Sequence, residues 1–267
     1  YPIYRLSENE FSIVDHFFVL DKFFKSIRFT LKQRFNEYNG LKSSNRSFFN
    51  FYNTQFSENH LMVEVLDSIF HKNYFYKKKV KDSTDNEPDY YVRHNKRIYL
   101  FEHKDVLIRK DIKSSGDINE IYSALKGKFL ETGGKPIGIG QLITSIEQIL
   151  EGDFEFDDLD VKGNYEIYPI LLVTDRIFDS IGLNYRMNEW FQDSLRNRLD
   201  KKHNLSKIKP LSLIDMNTLI YWLPHLSAKD RNFKDILDKH HGKMLNKRNV
   251  YSSNQQVGID RVNKGIA

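Results

Sequence analysis

Residues 89–104, DYYVRHNKRIYLFEHK, place two runs rich in Tyr, Val, Ile and Phe on either side of a short polar break, Asn95-Lys96. The pattern predicts two antiparallel strands joined by a two-residue loop, the commonest hairpin connection. Such a loop sets the register. His94 then faces Arg97, Val92 faces Tyr99, and counting outward puts Asp89 opposite Glu102. Directly opposed side chains share a sheet face, with Cβ atoms roughly 4.5–5.5 Å apart. The strand period of two adds Lys104 to the face of Glu102 and sends Tyr99, Phe101 and His103 to the other. A slip of one residue would separate the carboxylates.

Two like charges directly opposed cost stability. A divalent cation between them reverses the sign of that interaction. Magnesium takes hard oxygen ligands and is commonly held by one or two carboxylates, waters and substrate phosphates. An adjacent ammonium can orient an attacking water or help to deprotonate it, and burial or positive neighbours lower a lysine's pKa. Asp89, Glu102 and Lys104 together suit metal-assisted attack of water on a phosphodiester. The competing reading is a solvent-facing strand in which Glu102 and Lys104 merely pair with neighbours. Three features favour chemistry: Pro88 precedes Asp89, the strand leading to Glu102 is strongly apolar, and an acid-bearing helix lies upstream.

The remaining chain predicts an alternation of helices and strands. Apolar residues at helical spacing (Ile13, Phe17, Leu20, Phe24, Ile27 and Leu31) mark one face of a long amphipathic helix over 11–35, as core or as a docking face for a partner. A polar stretch at 39–47 interrupts it. Ser57 is a good N-cap for a second helix with Leu61, Val65 and Ile69 as its stripe and Glu64 at the margin. A strand is expected near 73–80, and helices over 117–130, 141–150 and 184–199. YEIYPILLVTD (165–175) reads as a buried strand, and 209–223 as a strand running into a helix. The glycine-rich GGKPIGIGQ fails the phosphate-loop pattern and is expected to be a turn. His240-His241 has no partners at metal spacing, and the chain from about 240 is expected to be loosely held. This order predicts an α/β fold with a mixed sheet. The expected organisation is a helical N-terminal segment (1–50), a core (51–225) and a basic C-terminal helix or tail (226–267).

Composition narrows the function classes. With no cysteine there is neither disulfide nor thiolate zinc site nor cysteine nucleophile. No stretch approaches the roughly 18 apolar residues of a membrane helix. The start, YPIYRLSENEF, lacks a leader pattern and an initiator Met, as expected of a piece of a longer, cytoplasmic protein. A net charge of +5 permits nucleic-acid binding without requiring it. HKNYFYKKKVK (71–81) carries five lysines and no acid, whereas EGDFEFDDLD (151–160) carries six acids and is expected to be a solvated loop.

Pro88-Asp89, twelve intervening residues, then Glu102-His103-Lys104 resembles the PD-(D/E)XK nuclease superfamily over roughly residues 57–175. The resemblance implies a restriction-endonuclease-like core: a mixed central β-sheet flanked by helices, preceded by the helical N-terminal segment. It implies Asp89 and Glu102 as magnesium ligands, with manganese as a substitute, and Lys104 as the residue that positions or activates water. Members often add a helix-borne carboxylate; Glu64 is the best placed, Asp67 the alternative, and Glu58 the less favoured. A glutamine on the following helix is common, and Gln141 fits, but Ser145 stands where one subgroup has Tyr. The implied activity is a phosphodiesterase, a DNA endonuclease before an RNase, as found in effectors of antiviral defence. Lys77, Lys78, Lys79 and Lys81 are then candidate backbone contacts, extended by Lys110, Lys113, Lys126 and Lys128. Other domains or subunits are expected as partners, and two copies would suit cutting both strands. The rival expectation is a catalytically silent nucleic-acid-binding or assembly module on the same fold.

Overall fold

The computed structural model describes residues 3–14, 16–40, 45–71, 77–80, 87–160, 163–180, 182–199, 203–229 and 232–246. The chain divides into two compact units, Tyr1–Asn59 and His60–Ala267.

In the first unit, β1 (Ile3–Arg5) and β2 (Phe11–Ile13) form an antiparallel ribbon, followed by α1 (His16–Tyr38) and α2 (Asn45–Phe51). The two helices meet through aromatic rings: Phe35 stacks on Phe51 and meets Phe48 edge-on, at 5.2 and 5.6 Å between centroids. Arg28 lies over the Tyr52 ring and donates to Asn53 Oδ1. The predicted single helix over 11–35 is therefore corrected at its start, where 11–13 is a strand. Of its stripe, Ile13, Phe24, Ile27 and Leu31 are exposed, which removes the core alternative for them and leaves the docking face. The short α2 meets α1 around Phe29 and Phe35 and leaves Phe24, Ile27 and Leu31 exposed. Ser57 starts no helix. The chain is already helical from Asn45, continues through a π-helical stretch (Tyr52–Met62), and buries Ser57 within it.

The second unit opens with the last residues of that π-helical stretch and α3 (Val63–Ile69). Next come β3 (Lys77–Val80), β4 (Tyr90–His94), β5 (Arg97–Lys104), α4 (Lys110–Ser114) and α5 (Ile118–Phe129). The glycine-rich turn is a small hairpin, β6 (Glu131–Thr132) with β7 (Lys135–Pro136), leading into α6 (Ile139–Glu151). The chain closes with β8 (Glu166–Val173), α7 (Leu183–Leu199), β9 (Ser212–Asp215), α8 (Met216–Leu226) and α9 (Phe233–Met244). The five-stranded sheet runs β3-β4-β5-β8-β9. Its first pairings are antiparallel and those of β5 with β8 and β8 with β9 are parallel. This is an α/β fold with a mixed central sheet flanked by helices.

Alternation along the strands sorts the core into two layers. Tyr91, Ile98, Leu100, Leu171 and Val173 pack with residues of α5, α6 and α7, including Phe129, Leu142 and Phe191. Tyr90, Val92, Tyr99, Phe101, Ile170 and Leu172 pack with α3, α8 and α9 through Leu66, Leu219 and Leu237. The central β8 is buried on both faces, which explains its unbroken apolar run.

Two sequence expectations fail because they concern contacts made far along the chain. The acidic stretch 151–160 is not a solvated loop. Phe154 and Phe156 enter the core, and buried Asp157 accepts from Tyr91 Oη at 2.7 Å and from Arg93 Nε at 2.5 Å. Nor is His240-His241 part of a loose tail. Helix α9 buries Phe233, Leu237 and His241, and His241 Nε2 lies 2.8 Å from Ser212 Oγ.

Candidate active site

The hairpin positions the site. Asn95 turns the chain with φ of 56°, a left-handed conformation that asparagine tolerates better than most residues. His94 pairs with Arg97, Val92 with Tyr99 and Tyr90 with Phe101, so the next step outward sets Asp89 against Glu102. Both are buried, Glu102 completely. Asp89 Oδ2 accepts the His103 backbone N–H at 2.8 Å, which ties its carboxylate to the end of β5. Glu102 Oε2 lies 3.3 Å from Lys104 Nζ. By alternation Asp89, Glu102 and Lys104 share the face covered by α5, α6 and α7.

Helix α6 begins beside this group. Gly138 precedes it at φ 51°, and a Cβ there would lie 3.5 Å from Lys104 Cγ and 3.0 Å from the Phe129 carbonyl oxygen. Gly140 is still tighter, with the Leu130 carbonyl oxygen only 2.3 Å from where a Cβ would sit. Gly138 lets the helix start press against the end of β5, and Gly140 lets it press against the end of α5 and Pro136. Gln141 lies in the first turn of α6, where its Oε1 accepts the Gly138 N–H at 2.8 Å. The positive end of the helix dipole is thus next to Lys104, a setting that favours an anionic group.

The helix-borne carboxylates lie elsewhere. Glu64 is exposed on α3, whose Val65, Leu66 and Ile69 pack on the opposite face of the sheet. Asp67, on the same helix, accepts from Tyr90 Oη at 2.7 Å. Glu58 belongs to the first unit. The structure brings neither Glu64 nor Asp67 to the carboxylate pair. Among the described residues no group of three His, Asp or Glu side chains is placed to hold a metal ion.

Lys77, Lys78 and Lys79 form most of β3, at the edge of the sheet, paired with Arg93, Val92 and Tyr91; Lys81 lies outside the described residues. Lys110 and Lys113 are exposed on α4, and Lys126 and Lys128 on α5, with Lys126 Nζ 5.4 Å from the centre of the Trp190 ring. His103 points to the other sheet face, where Nε2 lies 3.0 Å from Thr174 Oγ1. Burial lowers its pKa to about 4, against the pull of Asp105 and Asp89, so the ring is neutral at pH 7. Ser212 and His241 have the composition of a nucleophile and base, but both are buried away from any substrate.

One row of residues was missed in the sequence. The parallel strands β5, β8 and β9 end on or just before Asp105, Asp175 and Asp215, all buried. Their signal was present as an acid closing each apolar run (FEHKD, LLVTD and SLID). In open α/β sheets ligands bind outside the carboxyl ends of the strands. Asp175 caps the short helix Arg176–Phe178 by accepting the Ile177 N–H. Burial raises the pKa of Asp215 to about 6.

No family model matches the chain, and no curated protein matches it. Among solved structures it is similar to the small subunit of the heterodimeric restriction endonuclease R.BspD6I. That likeness has 10% identity and a TM-score of 0.38, and covers 81% of this chain and 93% of that one. No helix among the described residues is long and apolar enough to cross a membrane.

Proposed function

We propose that the second unit is a magnesium-dependent nuclease that hydrolyses phosphodiester bonds, with DNA as its favoured substrate and internal cleavage as its favoured mode. The observation that carries this reading is the buried pair Asp89 and Glu102, opposed across the hairpin, with the Lys104 ammonium 3.3 Å from Glu102. A site with two carboxylates fits magnesium, which keeps several waters and completes its shell with substrate phosphates. Manganese shares that preference for oxygen ligands. Asp89 and Glu102 would hold the ion, which would stabilise the negative charge that develops on the phosphoryl oxygens. Glu64 stays outside the donor set.

Lys104 orients the attacking water and offsets charge at the scissile phosphate. The N-terminus of α6 adds a positive potential on the same side. The His103 N–H keeps the Asp89 carboxylate at the strand end, and Glu102 holds the Lys104 ammonium in place. Lys77, Lys78, Lys79 and Lys81 contribute backbone contacts that are independent of sequence and sensitive to salt. The rival reading, a silent binding module, draws its support from the absence of a third metal-binding group among the described residues.

Cleavage of plasmid, linear DNA and RNA, with magnesium or with EDTA, separates the two. Lys104→Ala and Asp89→Ala are expected to lose at least about 100-fold in rate while retaining binding. Undiminished cleavage by both variants would sink the site assignment. Binding without cleavage by the unaltered protein, across all three substrates, would favour the silent module.

A further inference from the structure

A surface cavity of about 180 Å³ opens between the end of β8 and the first turns of α8, lined by Arg176, Asp179, Asp215, Asn217, Tyr221 and Trp222 among others. Its position relates it to the carboxylate pair. Lys104, Val173 and Asp215 are aligned across the parallel strands. Neighbouring strands are about 4.8 Å apart, so the backbone of Asp215 lies roughly 10 Å from that of Lys104. Val173 and Leu213 belong to the core layer under α5, α6 and α7. Alternation therefore puts Asp215 on the face that carries Glu102 and Lys104, at the same end of the sheet.

The lining has a particular chemistry. Tyr221 is 77% exposed and Trp222 52% exposed, and their rings meet edge-on at 5.4 Å. Two adjacent aromatic rings left in water beside a buried carboxylate offer a face on which a planar group can stack. Arg176 supplies a cation at the rim. Asp179 and Asp215 disfavour a phosphate inside the cavity, since like charges repel. A neutral planar group bearing N–H donors meets none of that repulsion. Asp215 is 92% buried and accepts from Asn217 Nδ2 at 3.2 Å, so its carboxylate is a held acceptor in the cavity lining.

We propose that this cavity is a base-stacking subsite: it takes one unstacked nucleobase of a single-stranded stretch of substrate, on Tyr221 and Trp222, with Asp215 accepting from an exocyclic amino group. Carboxylates read the cytosine amino group in this way, and thymine lacks one. Arg176, in the cavity lining, supplies a positive charge near the backbone that flanks such a base. The subsite rests on the nuclease reading for its substrate, yet it is testable without cleavage. It gives the site a preference for strands that are already open, since extruding a base from a duplex costs a few kcal/mol.

Binding of short oligo-dC and oligo-dT is measured on the full chain in EDTA. Fluorescence is read in a Trp190→Phe background, which leaves Trp222 as the reporter because the chain has two tryptophans. Oligo-dC is expected to quench that emission and to bind more tightly than oligo-dT. Trp222→Ala and Tyr221→Ala should each weaken oligo-dC binding by roughly 5- to 100-fold, the loss of one stacked base, and Trp222→Phe should restore most of it. Unchanged affinity in both alanine variants, or no quenching, overturns the subsite. Quenching by an arginine-rich peptide and not by oligonucleotide also overturns it, reassigning the cavity to a cationic protein partner. Quenching without magnesium-dependent cleavage would leave the subsite standing and remove the nuclease reading. Cleavage without quenching would do the reverse.

Discussion

Asp89 and Glu102 face each other from buried positions, with the Lys104 ammonium 3.3 Å from Glu102. A divalent ion bound there stabilises the folded state by mass action, because the unfolded chain does not hold the two carboxylates together. Magnesium at one hundred times its dissociation constant is worth about 2.7 kcal/mol. For a chain of this size that is a rise in Tm of roughly 5–10 °C. Calorimetry is expected to show this rise in the unaltered protein and its loss in Asp89→Asn and Glu102→Gln. An equal rise in those variants would place the ion elsewhere. The pairing itself was legible in the sequence, since it follows from a two-residue loop and counting. The absence of Glu64 from it was not. Helical spacing gives the side of α3 on which Glu64 lies, but not the sheet face on which α3 packs.

At the scale of elements, the apolar residues of α1 and of β5 look alike in sequence and differ in burial. Phe24 on α1 is 66% exposed, whereas Phe101 on β5 is fully buried between Phe70, Tyr90 and Phe233. Phe101→Ala should cost about 3–5 kcal/mol in denaturant unfolding, through lost transfer energy and the cavity left behind. Phe24→Ala should stay within about 0.5 kcal/mol. A large cost at Phe24 would mean that the helix face is covered in solution. Strand periodicity identified β5 and β8 because a sheet buried on both faces needs a nearly continuous apolar run. Helical periodicity left core and docking face both open for α1 because it records an apolar side, not whether anything covers it.

Over the whole molecule, stability should depend on pH through buried groups that lie far apart. Burial holds His103 and His241 neutral, each with its pKa lowered to about 4. Between pH 6.5 and 4 the unfolded chain takes up protons that these folded rings refuse, so stability falls as pH falls, by up to about 3 kcal/mol for each ring. Asp215 acts in the opposite direction. Its pKa is raised to about 6, so the folded protein holds a proton that the unfolded chain has released, and stability rises as pH falls toward 4. Asp215→Asn should therefore steepen the acid-side loss of Tm between pH 6 and 4. An unchanged slope would mean that Asp215 titrates normally.

The sequence by itself determined the features set by near neighbours along the chain: the hairpin and its register, the opposition of Asp89 and Glu102 with Lys104 on their face, and the buried strand at 166–173. These follow from the two-residue repeat of a strand and the geometry of a tight turn. Only the tertiary structure decided which sheet face each helix covers. It put Asp157 under Tyr91 and Arg93, buried His241 against Ser212, kept Glu64 from the carboxylate pair, and aligned Asp215 with Lys104 across two strands. Each of these pairings joins residues many positions apart. A chain's local periodicity specifies which side of an element is apolar, and packing alone chooses what that side meets.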